Sequence, residues 1–160
     1  MLGGNDFHRP SFIKTTCFES HMYRLIYASH ARTSCMDDVP GILEWSYAHN
    51  PSLGITGVLC LLDSTYMQYL EGEEATVLDL FKSIRKDTRH QGATILDQRT
   101  IAQRAYPAWS MALMQWDART KAIFRSFSPG QHLDLYASDP TTAAPLVRAL
   151  TLDESWTFQP

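Results

Sequence analysis

Residues 54–72 read Gly54-Ile55-Thr56-Gly57-Val58-Leu59-Cys60-Leu61-Leu62-Asp63-Ser64-Thr65-Tyr66-Met67-Gln68-Tyr69-Leu70-Glu71-Gly72. Gly54 to Leu62 is apolar enough for a central strand. Asp63-Ser64 turns the chain, and Tyr66 to Glu71 returns antiparallel, so the stretch reads as a β-hairpin. Gln68 alternates with Tyr66 and Leu70 and therefore shares their face. A carboxamide buried there must find several hydrogen-bond partners or cost stability.

Working outward, Met22 to Ser29 alternates as a strand, with Tyr23, Leu25, Tyr27 and Ser29 on one face and Arg24, Ile26 and Ala28 on the other. Asp37 or Asp38 can cap a following helix, and Pro40 is tolerated in its first turn. Val39, Ile42, Leu43, Ser46 and Tyr47 form its inward stripe. Its end is expected near Asn50, because Pro51 disfavours helical geometry in the residue before it. After the hairpin, Glu73 and Glu74 suit a helix N-terminus, while Lys82, Arg85 and Lys86 suit its far end. Val77, Leu80, Phe81 and Ile84 are its buried face. Strands are expected at Ala93 to Ile101 and Ser110 to Gln115, joined by a connection containing Pro107. The order β-α-β-β-α-β-β indicates an α+β protein with a ferredoxin-like, mostly antiparallel sheet and two helices on one face. In that layout the first and third strands are neighbours, which brings Tyr27 towards Gln68.

Three segments follow from this reading. Residues 1–20 lack periodicity and form a flexible N-terminal extension. Residues 21–116 make the sheet domain, and residues 117–160 a C-terminal helical extension. Short helices are expected there at Ala118–Phe127 and Thr142–Leu150, with no recognisable output domain.

The 160 residues suit one domain with one real core. A net charge of -3 gives no electrostatic reason to expect nucleic acid or an anionic membrane as partner. The apolar run Ile55–Leu62 is too short to cross a bilayer, and Asp6, His8 and Arg9 stand where a signal peptide needs apolar residues. Cys17, Cys35 and Cys60 have no CxxC spacing and read as reduced thiols of a cytoplasmic protein. None of the six histidines pairs at metal spacing with a carboxylate or cysteine, so no metal is expected. No Ser/His/Asp or Cys/His constellation emerges, and an enzyme is not expected.

Taken singly, the polar candidates have ordinary explanations. Tyr27 can be a satisfied core tyrosine, Asn50 a turn residue at a helix end, and His49 a helix terminus. Asp87, Arg89 and His90 can be a solvated helix end, and Trp109 and Met111 plain core residues that would share a face on a regular strand. Together, Tyr27 in Leu25-Ile26-Tyr27-Ala28-Ser29, Asn50 in His49-Asn50, Gln68 in Gln68-Tyr69-Leu70-Glu71-Gly72, and Trp109-Ser110-Met111 resemble the BLUF family of flavin-using blue-light sensors. The resemblance covers residues 21–116.

The resemblance implies a flavin cofactor, FAD or the shorter FMN or riboflavin. It implies a binding set of Tyr27, Ser29, His49, Asn50, Gln68, Asp87, Arg89 and His90. Asn50 would bond the ring carbonyl and Asp87 the polar edge, with Arg89 near the ribityl or phosphate arm. Tyr27 would give up an electron and a proton, with Gln68 as the proton path and the group that rearranges. Trp109 and Met111 would complete the photoactive set, and either can face inward. The expected partners are a downstream protein reached through the tail and further copies of the chain. Self-association as a homodimer or larger is expected because the sheet face bearing Ile26, Met67 and Tyr69 lies opposite the two helices, although the C-terminal helices, packing back on the sheet, can cover part of it. The competing readings are a flavin-dependent redox protein and a ferredoxin-like oligomerisation or binding module without flavin.

Overall fold

The computed structural model describes residues 21–115, 117–127, 142–152 and 156–157. The expected N-terminal extension lies outside them. The elements in chain order are β1 (Met22–Ala31), α1 (Cys35–Leu53), β2 (Thr56–Leu62), β3 (Thr65–Glu73), α2 (Glu74–Ile84), β4 (His90–Ile101), β5 (Ala112–Met114), α3 (Ala118–Phe127), α4 (Ala143–Leu152) and β6 (Trp156–Thr157). The strands form one sheet in the order β4-β1-β3-β2-β5-β6. All neighbours are antiparallel except β2 and β5, which run parallel. The α+β, ferredoxin-like expectation is met, with β6 as an additional strand.

The hairpin forms as its sequence requires. Leu62 pairs with Thr65 across the two-residue turn Asp63-Ser64. Asp63 adopts φ 61° there, a left-handed conformation that Asp tolerates better than most residues. β1 joins the other side of β3, and its register sets Tyr27 directly opposite Gln68.

α1 runs longer than expected at both ends. It begins at Cys35, which leaves Asp37 and Asp38 inside its first turn, beside the positive end of the helix dipole. It continues through Pro51 to Leu53 and stops at Gly54, whose φ of 62° suits a residue without Cβ. Gly54 N–H donates to Pro51 O (3.2 Å) and Ile55 N–H to Asn50 O (2.9 Å), a Schellman closure that takes up the end carbonyls. Asn50 therefore sits within the helix, and the closing role falls to Gly54. Its side chain extends the stripe of Val39 and Ser46 and is buried with them.

The two faces of the sheet carry separate cores. Tyr23, Leu25, Tyr27, Leu59, Tyr66 and Leu70 pack beneath α1 and α2 with Val39, Val77 and Phe81. Ile26, Val58, Cys60, Met67 and Tyr69 pack on the opposite face with Phe124 of α3 and Leu146, Val147 and Leu150 of α4. α3 and α4 therefore cover the face on which self-association was expected to depend, and Ile26 and Met67 are fully buried there. Burial of an aliphatic side chain of this size contributes ~1.5–3 kcal/mol, so the packing of these helices carries real stability.

β5 is shorter than the expected Ser110–Gln115, and residues 109–111 are not a strand. Trp109 O accepts from Gly57 N–H (3.0 Å) and Ser110 O from Asn50 Nδ2 (2.8 Å). The backbone is thereby tied to β2 and α1 without a regular pleat. Among the described residues, no helix is long and apolar enough to cross a membrane.

Candidate functional site

Between α1 and α2, above the central strands, lies a cavity of about 210 Å³. A single buried water needs only about 10–15 Å³ on the same measure, so the space suits an organic ligand. Its floor is Tyr27, Leu59, Tyr66 and Gln68; α1 contributes Ile42, Trp45, Ser46 and Asn50. α2 and the turn after it contribute Leu80, Ser83, Ile84, Asp87 and Arg89, and the start of β4 contributes His90.

Two floor residues, Tyr27 and Gln68, belong to a buried hydrogen-bond chain that continues to Met111. Tyr27 Oη donates to Gln68 Oε1 at 2.6 Å, and Gln68 Nε2 donates to Met111 Sδ at 3.6 Å. Burial raises the Tyr27 phenol well above its ordinary value; the Asp87 charge adds to this and Arg89 opposes it. The phenol therefore keeps its proton and acts as a donor. A thioether is a weak acceptor, so one end of the Gln68 amide is held firmly and the other loosely.

Asn50 is 1 % exposed. Its Nδ2 holds Ser110 O, while its Oδ1 is buried with no hydrogen-bond partner. His90, which lines the same cavity, leaves Nδ1 buried and unpaired. Burial lowers its pKa most, which favours the neutral ring. Unsatisfied buried polar atoms are uncommon and call for a partner. Here they belong to residues lining a cavity whose other walls include Leu59, Leu80, Ile42 and an indole. A flat, polar-edged aromatic ring such as that of flavin fits this set.

Asp87 and Arg89 pair with each other in the cavity wall. Asp87 Oδ1 accepts from Arg89 N–H (2.9 Å) and Nε (3.0 Å), and the Arg89 hydrogen bonds hold the carboxyl below its usual range. The pair is preassembled, and its Arg89 guanidinium remains partly exposed.

Two expected residues fall elsewhere. His49 is exposed, with Nδ1 against Trp45 O (2.8 Å), and it stacks on the Trp45 indole with centroids 4.4 Å apart. Trp45, which sequence reasoning missed, lines the cavity in its place. Ser29 is fully buried on the Tyr27 face with its Oγ unpaired, but it is not part of the cavity wall. Trp109 and Met111 lie on opposite sides of the sheet. Met111 is fully buried on the cavity side against Gln68, whereas Trp109 packs on the opposite face, stacked on Tyr106 at 5.0 Å. Tyr66 was seen in the sequence only as a marker of the face. It lines the cavity and donates to Asp38 Oδ2 at 3.2 Å.

Comparison with known proteins agrees with this geometry. Residues 22–112 match the family described as sensors of blue-light using FAD. The chain is 30% identical over 115 residues to the photoactivated adenylate cyclase subunit beta of Euglena longa, covering 71% of this chain and 13% of that protein. It thus spans a small part of that relative. Among solved structures, BlsA in its photo-activated state superimposes with a TM-score of 0.76 at 27% identity, covering 86% of this chain and 99% of that one. The dark state of the BLUF protein BlrB gives 0.68 at 31% identity, covering 84% and 98%. With its sheet, its cavity and the match over residues 22–112 in agreement, the chain belongs to the BLUF family, the blue-light sensors that use FAD.

Proposed function

We propose that Tyr27, Gln68 and Met111 form the light-responsive element, and that Asn50, Asp87, Arg89, His90 and Trp45 hold FAD over it. The observation that carries this reading is the buried chain from Tyr27 through Gln68 to Met111, whose first two members line a cavity also lined by Asn50 and His90, each with an unpaired polar atom. Bound flavin supplies blue-light absorption and, when excited, a strong electron acceptor. Tyr27, protonated and donating to Gln68 at 2.6 Å, can lose an electron and pass its proton to Gln68 Oε1 along the existing bond. The weakly held end of the amide lets Gln68 turn or tautomerise once that bond changes. Rotation brings Nε2 to the Tyr27 oxygen and swings Oε1 towards Met111 Sδ, which has no hydrogen to offer. The second Nε2 hydrogen of the turned amide would then be available to an acceptor on a flavin held in the cavity. Return of electron and proton to Tyr27 leaves the chain chemically unchanged and Gln68 rearranged.

The output is a shift of conformer population read by a partner protein, with the tail as contact surface. The Euglena relative carries the name of a photoactivated cyclase, which supports a sensor that governs an activity outside the sensor fold. A cytoplasmic setting is part of the proposal, supported by Cys35 and Cys60 as buried free thiols. Self-association loses its first argument, because α3 and α4 cover the face concerned; light scattering tests it independently.

The paired variants Tyr27→Phe and Gln68→Ala test the roles. Each should abolish the light-induced red shift of the flavin band, Tyr27→Phe with flavin still bound. A native photocycle in either variant would overturn that residue's assignment.

A further inference from the structure

We infer that Glu71 is the positioning residue that couples the light-responsive strand to α4 on the opposite face of the sheet; this rests on the photoreceptor reading above. Glu71 lies three residues beyond Gln68 on β3, so the two side chains leave opposite faces. It is fully buried, and its carboxylate collects three donors. Tyr69 Oη and Ala105 N–H reach Oε1 at 2.8 Å each, and Tyr106 N–H reaches Oε2 at 3.1 Å.

Two of those donors belong to the connection between β4 and β5. That same connection ends at Met111, the acceptor of Gln68 Nε2. The segment from residue 105 to residue 111 is therefore held by β3 at both ends, by Glu71 on one face and by Gln68 on the other. A change of Gln68 partner frees the Met111 end. The Glu71 end cannot yield in the same way, because a buried acceptor stripped of its donors is costly and bonds to a carboxylate are the stronger kind. Displacement is then taken up at the next joint. Tyr106 Oη lies 3.0 Å from Thr151 Oγ1 of α4, and Thr151 Oγ1 itself donates to Arg148 O. Tyr106 is thus the donor of a single neutral bond, weaker than the grip of Glu71 behind it. Stacking of Tyr106 on Trp109, which lies in the same segment, makes the ring move with it.

The test is hydrogen exchange of Ala143–Leu152 in the dark and under blue light, on the full chain with FAD bound, with the absorption spectrum recorded alongside. The parent should show a light-dependent change in α4. Glu71→Gln, Tyr106→Phe and Thr151→Val should keep the red shift and lose that change, while Thr151→Ser, which retains the hydroxyl, keeps both. Should Glu71→Gln not fold, Tyr106→Phe and the Thr151 pair decide the matter, since they alter one bond at the joint. An unchanged α4 response in Tyr106→Phe and Thr151→Val overturns the coupling. So does a parent with a normal red shift and no α4 response. Absence of the red shift in the parent would instead remove the photoreceptor reading on which the inference stands.

Discussion

Replacing Asn50 by alanine separates a ligand-holding role from a structural one, because the two uses of its carboxamide are distinct in the structure. One Nδ2 hydrogen holds Ser110 O at 2.8 Å, whereas the second hydrogen and the buried Oδ1 have no protein partner. A net hydrogen bond contributes about 1 kcal/mol, so one or two contacts to the flavin ring are worth about 1–2 kcal/mol. That corresponds to flavin binding weakened about 5- to 30-fold at 25 °C. Losing the Ser110 bond should independently lower the stability of the flavin-free protein by about 1 kcal/mol, seen as a shift of about 2–4 °C for a chain of this size. Equilibrium dialysis with FAD gives the first quantity, and thermal unfolding of the apoprotein gives the second. Affinity unchanged within about twofold, against the expected 1–2 kcal/mol, alongside a destabilised apoprotein, would refute the ligand role and leave Asn50 as a tether between α1 and residue 110.

Three further outcomes follow from the structure. Met111→Ala, which removes the acceptor of Gln68 Nε2, should alter the light-induced shift or its dark decay. Trp109→Ala, on the other face of the sheet, should leave the dark flavin spectrum unchanged; the opposite pattern would show that Trp109 is the inward residue. Because the folded-state pKa of Tyr27 is raised above its usual 10.0, the stability it supports is complete below pH 10.0 and is lost as pH rises further, when the unfolded chain releases a proton that the folded chain keeps. Difference titration of the parent against Tyr27→Phe at 295 nm should show no Tyr27 ionisation before unfolding, and a step near pH 10.0 in the folded protein would refute that burial effect.

The legible parts of this molecule were those governed by strict periodicity. Alternation in residues 22–29 and 66–71 put Tyr27 and Gln68 on one face, and the fold class made β1 and β3 neighbours, so their contact followed. The helical stripe through Val39 and Ser46 reaches Asn50 at the next turn. That signal was outweighed by the local rule for residues preceding proline, although the Gly54 closure carries the helix beyond it. Residues 109–111 were illegible because their bonds go to Gly57 and Asn50 rather than to a regular ladder, and period-two reasoning fails where there is no pleat. β6, two residues long, is too short for any pattern. Trp45 was hidden because the stripe assignment placed it beside the buried face, and only its large ring reaches the cavity. That the tail helices can pack back on the sheet was legible, but how fully α3 and α4 cover Ile26 and Met67 needed the three-dimensional packing. Removing residues 117–160 would uncover Ile26 and Met67, so point changes at the α4 joint probe the output more cleanly than truncation.

The most direct test of the central claim is the absorption spectrum of the purified chain before and after blue light, with the cofactor released by denaturation and identified by chromatography. The account predicts a yellow protein that releases FAD, whose flavin band moves slightly to the red on illumination and returns in the dark. A colourless chain that does not take up FAD, or a bleached spectrum of reduced flavin as the stable product of light, would contradict it.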